Sequence, residues 1–460
     1  MDFELTAEGK KLVDAVTAGH TPLFLTGKAG TGKSTLLRYL RDTLDDLNMA
    51  VVAPTGLAAL NVGGQTVHSF FRLPVKPIMD ETCILSTYGK LQHFYSKLDL
   101  LIVDEISMVR VDLMNCVDMF LRTNRPSRGD LPFGGVQILL IGDLFQLPPV
   151  VVKDSIEEAI LKATYGAPFF FRSPVFKENP LHIHALTKVY RQEDDTFVEI
   201  LNQIREGGDH YVKALATLNA ACLIGDTPYD GVEMVGTNEL ARLINYRQLR
   251  LLDSPPATFT GIKTGVMADG RVDDARLPVP DKLTLKVGAK VMIVRNDLSE
   301  FKYYVNGTVG TIVSLPQRDG GMEPIGVRIL NSRGDPMIVS ITPATWEKTK
   351  VELFGDKYSQ TVVGAYYQYP LMLAYALTIH KAQGKTLDNV VLDTGPKGMF
   401  SAGQLYVALS RVREMKGLKL RRELQTNDVI VHEDVVKFHQ EYISKPSLLA
   451  QGSLFYGKTN

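Results

Sequence analysis

Gly27-Lys28-Ala29-Gly30-Thr31-Gly32-Lys33-Ser34 decides the fold. It fits G-x-x-x-x-G-K-[ST] in full, between an apolar run, Thr21–Thr26, and a helical pattern over Leu36–Leu47. Glycines let backbone N–H groups wrap phosphates without Cβ clashes, and the dipole of the following helix adds its field. Lys33 is placed to reach the β- and γ-phosphates, and the Ser34 hydroxyl to bind Mg²⁺. A strand before and a helix after exclude an ordinary glycine turn.

Outward from this loop, short apolar runs alternate with helical segments. Leu5–Val16 has helical periodicity; Ala50–Ala53, Leu98–Val103 and Val136–Ile141 read as strands. Alternation of this kind indicates a parallel sheet. The strands end in Gly27, Pro54-Thr55-Gly56, Asp104-Glu105 and Gly142-Asp143. Ligands of open α/β sheets bind at the carboxyl ends of strands. Asp104 is therefore a candidate Mg²⁺ ligand, and Glu105 a candidate to orient or activate the attacking water. Gln146 follows the third of these strands and can sense the γ-phosphate through its amide.

A second α/β region begins after Pro180: Leu181–Leu186 leads to Tyr190-Arg191-Gln192, and Glu233–Gly236 to Thr237-Asn238. From about Gly288 to Tyr369 the chain is strand-rich, with turn signals at Asn306-Gly307, Gly320-Gly321 and Arg333-Gly334-Asp335. Val291–Val294, Thr308–Leu315, Gly326–Leu330 and Pro336–Ile341 suit a small barrel. The α/β pattern then returns, with a strand at Val390–Leu392 and a helix at Gln404–Leu409.

The 460 residues carry 51 Lys+Arg and 51 Asp+Glu, so the formal charge is zero. A protein that coats nucleic acid by bulk attraction is excluded; a local basic channel is not. No apolar run reaches the roughly 18–20 residues of a membrane span, and the acidic, amphipathic start MDFELTAEGKKL has no leader pattern. A cytoplasmic protein is expected. Cys83, Cys116 and Cys222 lie too far apart for a zinc site or a disulfide framework.

The stretches FLTGKAGTGKSTLL, APTGLAALNVGGQTVHSFF, LIVDEISMV, FGGVQILLIGDLFQLPPV, LTKVYRQ, TIHKAQGKTLDNVVLD and QLYVALSRVR occur in this order. Together they resemble superfamily 1 helicases of the 5′-to-3′ branch, and within it the PIF (petite integration frequency) DNA helicase family. The resemblance spans about residues 5–413. It implies two RecA-like parallel-sheet P-loop domains with a small SH3-like β-barrel inserted in the second. The implied boundaries are 1–180, with a wedge-like insertion at about 63–98; 181–290 plus 370–445; the β insertion 291–369; and a flexible tail, 446–460.

The same resemblance implies an ATP- and Mg²⁺-dependent motor on single-stranded and forked duplex DNA, working in replication or repair, with G-quadruplexes and RNA–DNA hybrids as further substrates. The nucleotide would be held by Gly27, Lys28, Ala29, Gly30, Thr31, Gly32, Lys33, Ser34 and Thr35, with Gln383 and Gly384 coupling nucleotide state to DNA. Arg191 and Arg411 match arginines that neutralise the transferred phosphoryl group. Pro54, Thr55, Gly56, Thr66, His68, Thr237, Asn238, Thr378, His380 and Lys381 match backbone-contacting positions for DNA. Such contacts carry no sequence information. His68 and His380 suit a polar network in the core as well, and Phe70 and Phe71 suit base stacking or the core alike.

Two features depart from the family pattern. Leu5-Thr6-Ala7-Glu8 is followed by Gly9 where a glutamine usually reads adenine, so a looser base choice is expected. There is no long N-terminal extension, which favours a bacterial or phage-type motor core, nucleoid-associated. In the tail, Gln451-Gly452-Ser453-Leu454-Phe455 resembles a peptide that docks on the bacterial sliding clamp, its Leu-Phe pair filling an apolar pocket.

Overall fold

The computed structural model describes residues 5–73, 86–152, 154–192, 194–208, 210–268, 277–297, 299, 303–316, 323–331, 334–355 and 357–443. Gln451–Phe455 and the centre of the expected wedge segment lie outside these residues. The chain divides into two compact units: Met1–Pro54, Val67–Tyr190 and Ile430–Asn460 form the first, Thr55–Thr66 and Arg191–Val429 the second.

In the first unit, β1 (Leu23–Gly27), β2 (Met49–Ala53), β3 (Leu100–Val103), β4 (Gln137–Gly142) and β5 (His182–Leu186) run parallel in the order β2-β3-β4-β1-β5. Every residue of β1 and β3 is buried, as expected of parallel strands covered on both faces. Helix α1 (Ala7–Thr17) is capped by the Thr6 side chain, which accepts from Gly9 N–H, and buries Leu12 and Val16. Helix α2 (Lys33–Thr43) buries Leu36, Leu37 and Leu40.

β5 corrects the reading that began the second α/β region after Pro180. His182–Leu186 pairs with β1 along its whole length, Leu23 opposite His182 and Gly27 opposite Leu186. A short apolar run names a strand but not its sheet. The far end of the second region is also shorter than expected, because Ile430–Ile443 returns to the first unit. There Phe438 stacks on Phe171 at 4.4 Å between ring centroids and lies 6.4 Å from Phe24.

The second unit has its own parallel sheet, in the order Ala376–Thr378, β6 (Val232–Val235), Val390–Leu392, Leu418–Leu420. Its β module contains the expected barrel strands as Lys290–Ile293, Val309–Ser314, Ile325–Leu330 and Pro336–Ile341, antiparallel, closed at one side by Leu371–Leu373. Val291, Ile293, Ile312, Ile325, Val327 and Leu371 fill its core. The module is larger than the sequence indicated. Ala257–Thr260 pairs with Lys282–Leu285, and a long hairpin, Ala344–Phe354 with Lys357–Gln368, takes Ile262–Gly265 as a third strand.

Candidate functional site

In the first unit the strand registers bring the chemistry to one edge. Thr26 lies opposite Gly142 and Val103 opposite Leu140, so Gly27 ends its strand, and Asp104 and Asp143 directly follow the ends of neighbouring strands. Gly30 and Gly32 have φ of +80° and +89°, which side chains resist, so only glycine turns the chain here without strain. A Cβ on Gly27 would stand 2.7 Å from Thr31 Oγ1 and 2.8 Å from Leu186 O. The loop is therefore shaped by β5 as well as by its own sequence. Lys33 Nζ donates to the carbonyls of Gly27 at 2.7 Å and Lys28 at 3.0 Å, and Thr31 Oγ1 donates to Lys28 O at 2.9 Å. Lys28, Ala29, Ser34 and Thr35 complete the same turn into α2.

Asp104 is buried, and its N–H donates to Val52 O on β2. Desolvation first, then the charge of Glu105, push its carboxyl up to about 7, against the backbone N–H of Glu105 and the Lys33 ammonium. A carboxylate so placed favours a cation beside it, which is the fit expected of a Mg²⁺ ligand. Glu105 has φ +50°, so the two acids diverge from the strand end. Asp143 escaped the sequence reading as a functional residue. It is 1% exposed, accepts from Phe145 N–H at 3.2 Å and from the Gln146 amide at 3.5 Å, and so holds Gln146 in place. The only signal for it was its position directly after β4.

In the second unit the structure joins Arg191 to Arg411. Arg191 Nη1 donates to Ser410 O at 3.2 Å, and Gln192 Nε2 to Ser410 O and Val412 O. Arg411 is 1% exposed; it donates to Val407 O at 2.7 Å, Ser410 Oγ at 2.7 Å and Lys385 O at 3.4 Å. The loop after Gln383 and Gly384 thus meets Arg411 through Lys385. Gly384 has φ +76° with open space around it. Lys385, which the sequence reading passed over, is buried; burial pushes its ammonium down to about 8, and it donates to Asn306 Oδ1 of the β module.

The candidate DNA contacts of this unit also share one edge. Val235 lies opposite Thr378, and each strand runs into a helix capped by a threonine. Thr237 accepts from Leu240 N–H and Thr378 from Lys381 N–H, which places Asn238, His380 and Lys381 in the first helical turns. Both His380 and Lys381 are exposed. The stretch from Pro54 to His68 is divided: Pro54 and His68 belong to the first unit, while Thr55, Gly56 and Thr66 belong to the second. Thr55 Oγ1 accepts from Ala58 N–H, and the segment packs on Ala344–Phe354. Phe70 and Phe71 are core, clustered with Phe94, Tyr95 and Phe120. Gly9 is buried too: a Cβ there would stand 3.1 Å from Leu5 Cδ2 and 3.7 Å from Leu36 Cδ1.

No helix among the described residues is long and apolar enough to cross a membrane, and no group of His, Cys, Asp and Glu there forms a metal cluster. Residues 4–213 match the family described as PIF1-like helicase. An ATP-dependent DNA helicase PIF1 of Danio rerio is 33% identical, covering 99% of this chain and 67% of the relative. An ATP-dependent DNA helicase Pif1 of Bdellovibrio bacteriovorus is 31% identical, covering 96% and 93%. Among solved structures, Bacteroides sp Pif1 in complex with ADP-AlF4 is 34% identical with a TM-score of 0.84, over 96% of this chain and 97% of the other. Bacteroides Pif1 bound to single-stranded DNA matches with a TM-score of 0.65 at 33% identity.

Proposed function

The chain belongs to the PIF1-like helicase family and is an ATP-dependent DNA helicase; from that premise we propose that it moves 5′-to-3′ on single-stranded DNA and opens forked duplexes. The observation that carries the chemistry is the shared sheet edge of Gly27–Ser34, Asp104, Glu105 and Gln146. In this reading the loop from Gly27 to Thr35 holds the triphosphate, with Lys33 at its β- and γ-phosphates. Ser34 and Asp104 would hold Mg²⁺, which would supply charge neutralisation at the phosphates. Glu105 orients the attacking water or takes its proton, and Gln146 senses the γ-phosphate through its amide. Arg191 and Arg411 neutralise the transferred phosphoryl group, and Gln383-Gly384, next in the chain to the Lys385 carbonyl that Arg411 holds, relay its loss to Thr378, His380 and Lys381 on the DNA. Gly9 leaves adenine without its usual amide partner.

Turnover with and without single-stranded DNA, together with unwinding of forks carrying only a 5′ or only a 3′ tail, tests this reading. Expected are strong stimulation by DNA and opening of the 5′-tailed fork alone; preference for the 3′ tail overturns the polarity. Lys33→Ala should remove turnover, and a variant with native turnover would sink the mechanism. GTP in place of ATP in the same assay reads the base choice. G-quadruplexes and RNA–DNA hybrids are further proposed substrates, the bacterial cytoplasm and nucleoid the proposed setting. Sliding-clamp docking through Gln451–Phe455 is tested by pull-down, against a chain carrying Leu454→Ala and Phe455→Ala.

A further inference from the structure

Helix α3 (Asn238–Arg250) begins at the candidate DNA edge of the second unit and is fixed to it. Its inner side packs Leu240, Ala241 and Ile244 against Val235 and Ala376. Asn245 locks the register, donating to Ala376 O at 2.7 Å and accepting from Ala376 N–H at 2.9 Å. The opposite side is Glu239, Arg242, Leu243, Tyr246, Arg247 and Arg250, all exposed. These positions recur at helical spacing, so they form one stripe.

The stripe is unlike an ordinary solvated face. It has three arginines, no lysine, and one acid, at its start. Among the described residues, none of Arg242, Arg247 and Arg250 makes an ion pair. Leu243 and Tyr246 are 62% and 61% exposed, and the Arg250 guanidinium sits 5.7 Å from the Tyr246 ring centroid. Guanidinium forks match phosphate oxygens, and an exposed aromatic ring offers a stacking face to any base. The stripe is continuous with the edge above it: Lys381 is held below its ordinary range by desolvation and then by the charge of Arg242.

We propose that this face of α3 is a further binding site for single-stranded DNA, continuing the path of the strand beyond Thr237, Thr378 and Lys381. The proposal rests on the reading of that edge as a DNA contact. Arg242 and Arg250 lie about 12 Å apart along the helix axis, which gives room for roughly three phosphates of a stacked strand. An excess of positive charge, an aromatic ring between the arginines, and continuity with the edge all favour a nucleic-acid strand over a second protein.

The test compares binding of two oligothymidylates, ~6 and ~16 nucleotides long, the span of common single-strand site sizes, to the full chain and to the variant with Arg242→Ala, Arg247→Ala and Arg250→Ala together. Expected is a loss of about 10-fold or more on the long probe and little change on the short one. The slope of log affinity against log salt should also fall by about 2 on the long probe, since each phosphate contact contributes ~0.7. The corresponding triple Arg→Lys variant should keep most of that slope. Unchanged affinity for the long probe overturns the proposal. Equal losses on both probes also overturn it, because the arginines would then act through the edge itself. A larger loss on blunt duplex than on the long single strand would make duplex the occupant and overturn it too. If the native chain binds neither oligothymidylate, it is the reading of the edge that fails.

Discussion

Asp104 carries two opposed demands. The proposed hold on Mg²⁺ requires a carboxylate, while its burial and Glu105 favour the protonated form, up to about 7. The stability consequence has a definite sign. A carboxyl raised in the folded state binds its proton more tightly there than in the unfolded chain, so stability falls as pH rises from the ordinary carboxylate range through about 7. Asp104→Asn removes that loss. Expected is a melting temperature a few degrees above native at pH 8, with the gain shrinking toward pH 5, alongside turnover reduced by ~100-fold or more. A melting temperature equal to or below native at pH 8 would contradict the burial argument. Asp104 was legible as a candidate because the apolar strand and the paired acids are consecutive in the chain. Asp143 was not, because its role is to hold a neighbour, and no spacing rule marks that.

At the scale of elements, the arginine pair shows what sequence leaves hidden. Arg191 and Arg411 came from resemblance; that they share Ser410 and are braced by Gln192 depends on contacts more than 200 positions apart. Arg191→Ala should lower DNA-stimulated turnover by about 1000-fold, with a much smaller change in KM, and Arg191→Lys should not restore it, since an ammonium lacks the planar fork. Turnover within twofold of native in steady-state kinetics would remove Arg191 from the mechanism. The β module was misjudged in extent for a related reason. Its barrel strands have apolar inner faces and turn residues between them. The hairpin from Ala344 to Gln368 exposes Thr345, Glu347, Lys348 and Lys350, so its alternation gives only a faint hydrophobic signal. His182–Leu186 was recognised as a strand but placed in the wrong sheet, because pairing with β1 is decided by packing.

For the whole molecule, the return of Ile430–Ile443 to the first unit is the feature with most weight. Phe438 is 9% exposed and closes an aromatic group with Phe24, Phe171 and Tyr442. Phe438→Ala should cost about 3 kcal/mol by cavity formation. In calorimetry the transition of the first unit should move down, and affinity for ADP should weaken with it at elevated temperature, while the second unit keeps its transition. An unmoved first transition would show that this helix contributes little. The same connectivity bears on synthesis. A ribosome delivers Phe438 some 400 residues after Phe24, at about 5–20 residues per second. For at least ~20 seconds the nucleotide-binding unit waits with an apolar face uncovered, while the whole second unit emerges and folds. The nascent chain is thus most open to chaperone capture on its first-made unit, and that unit becomes complete only after the second has been made.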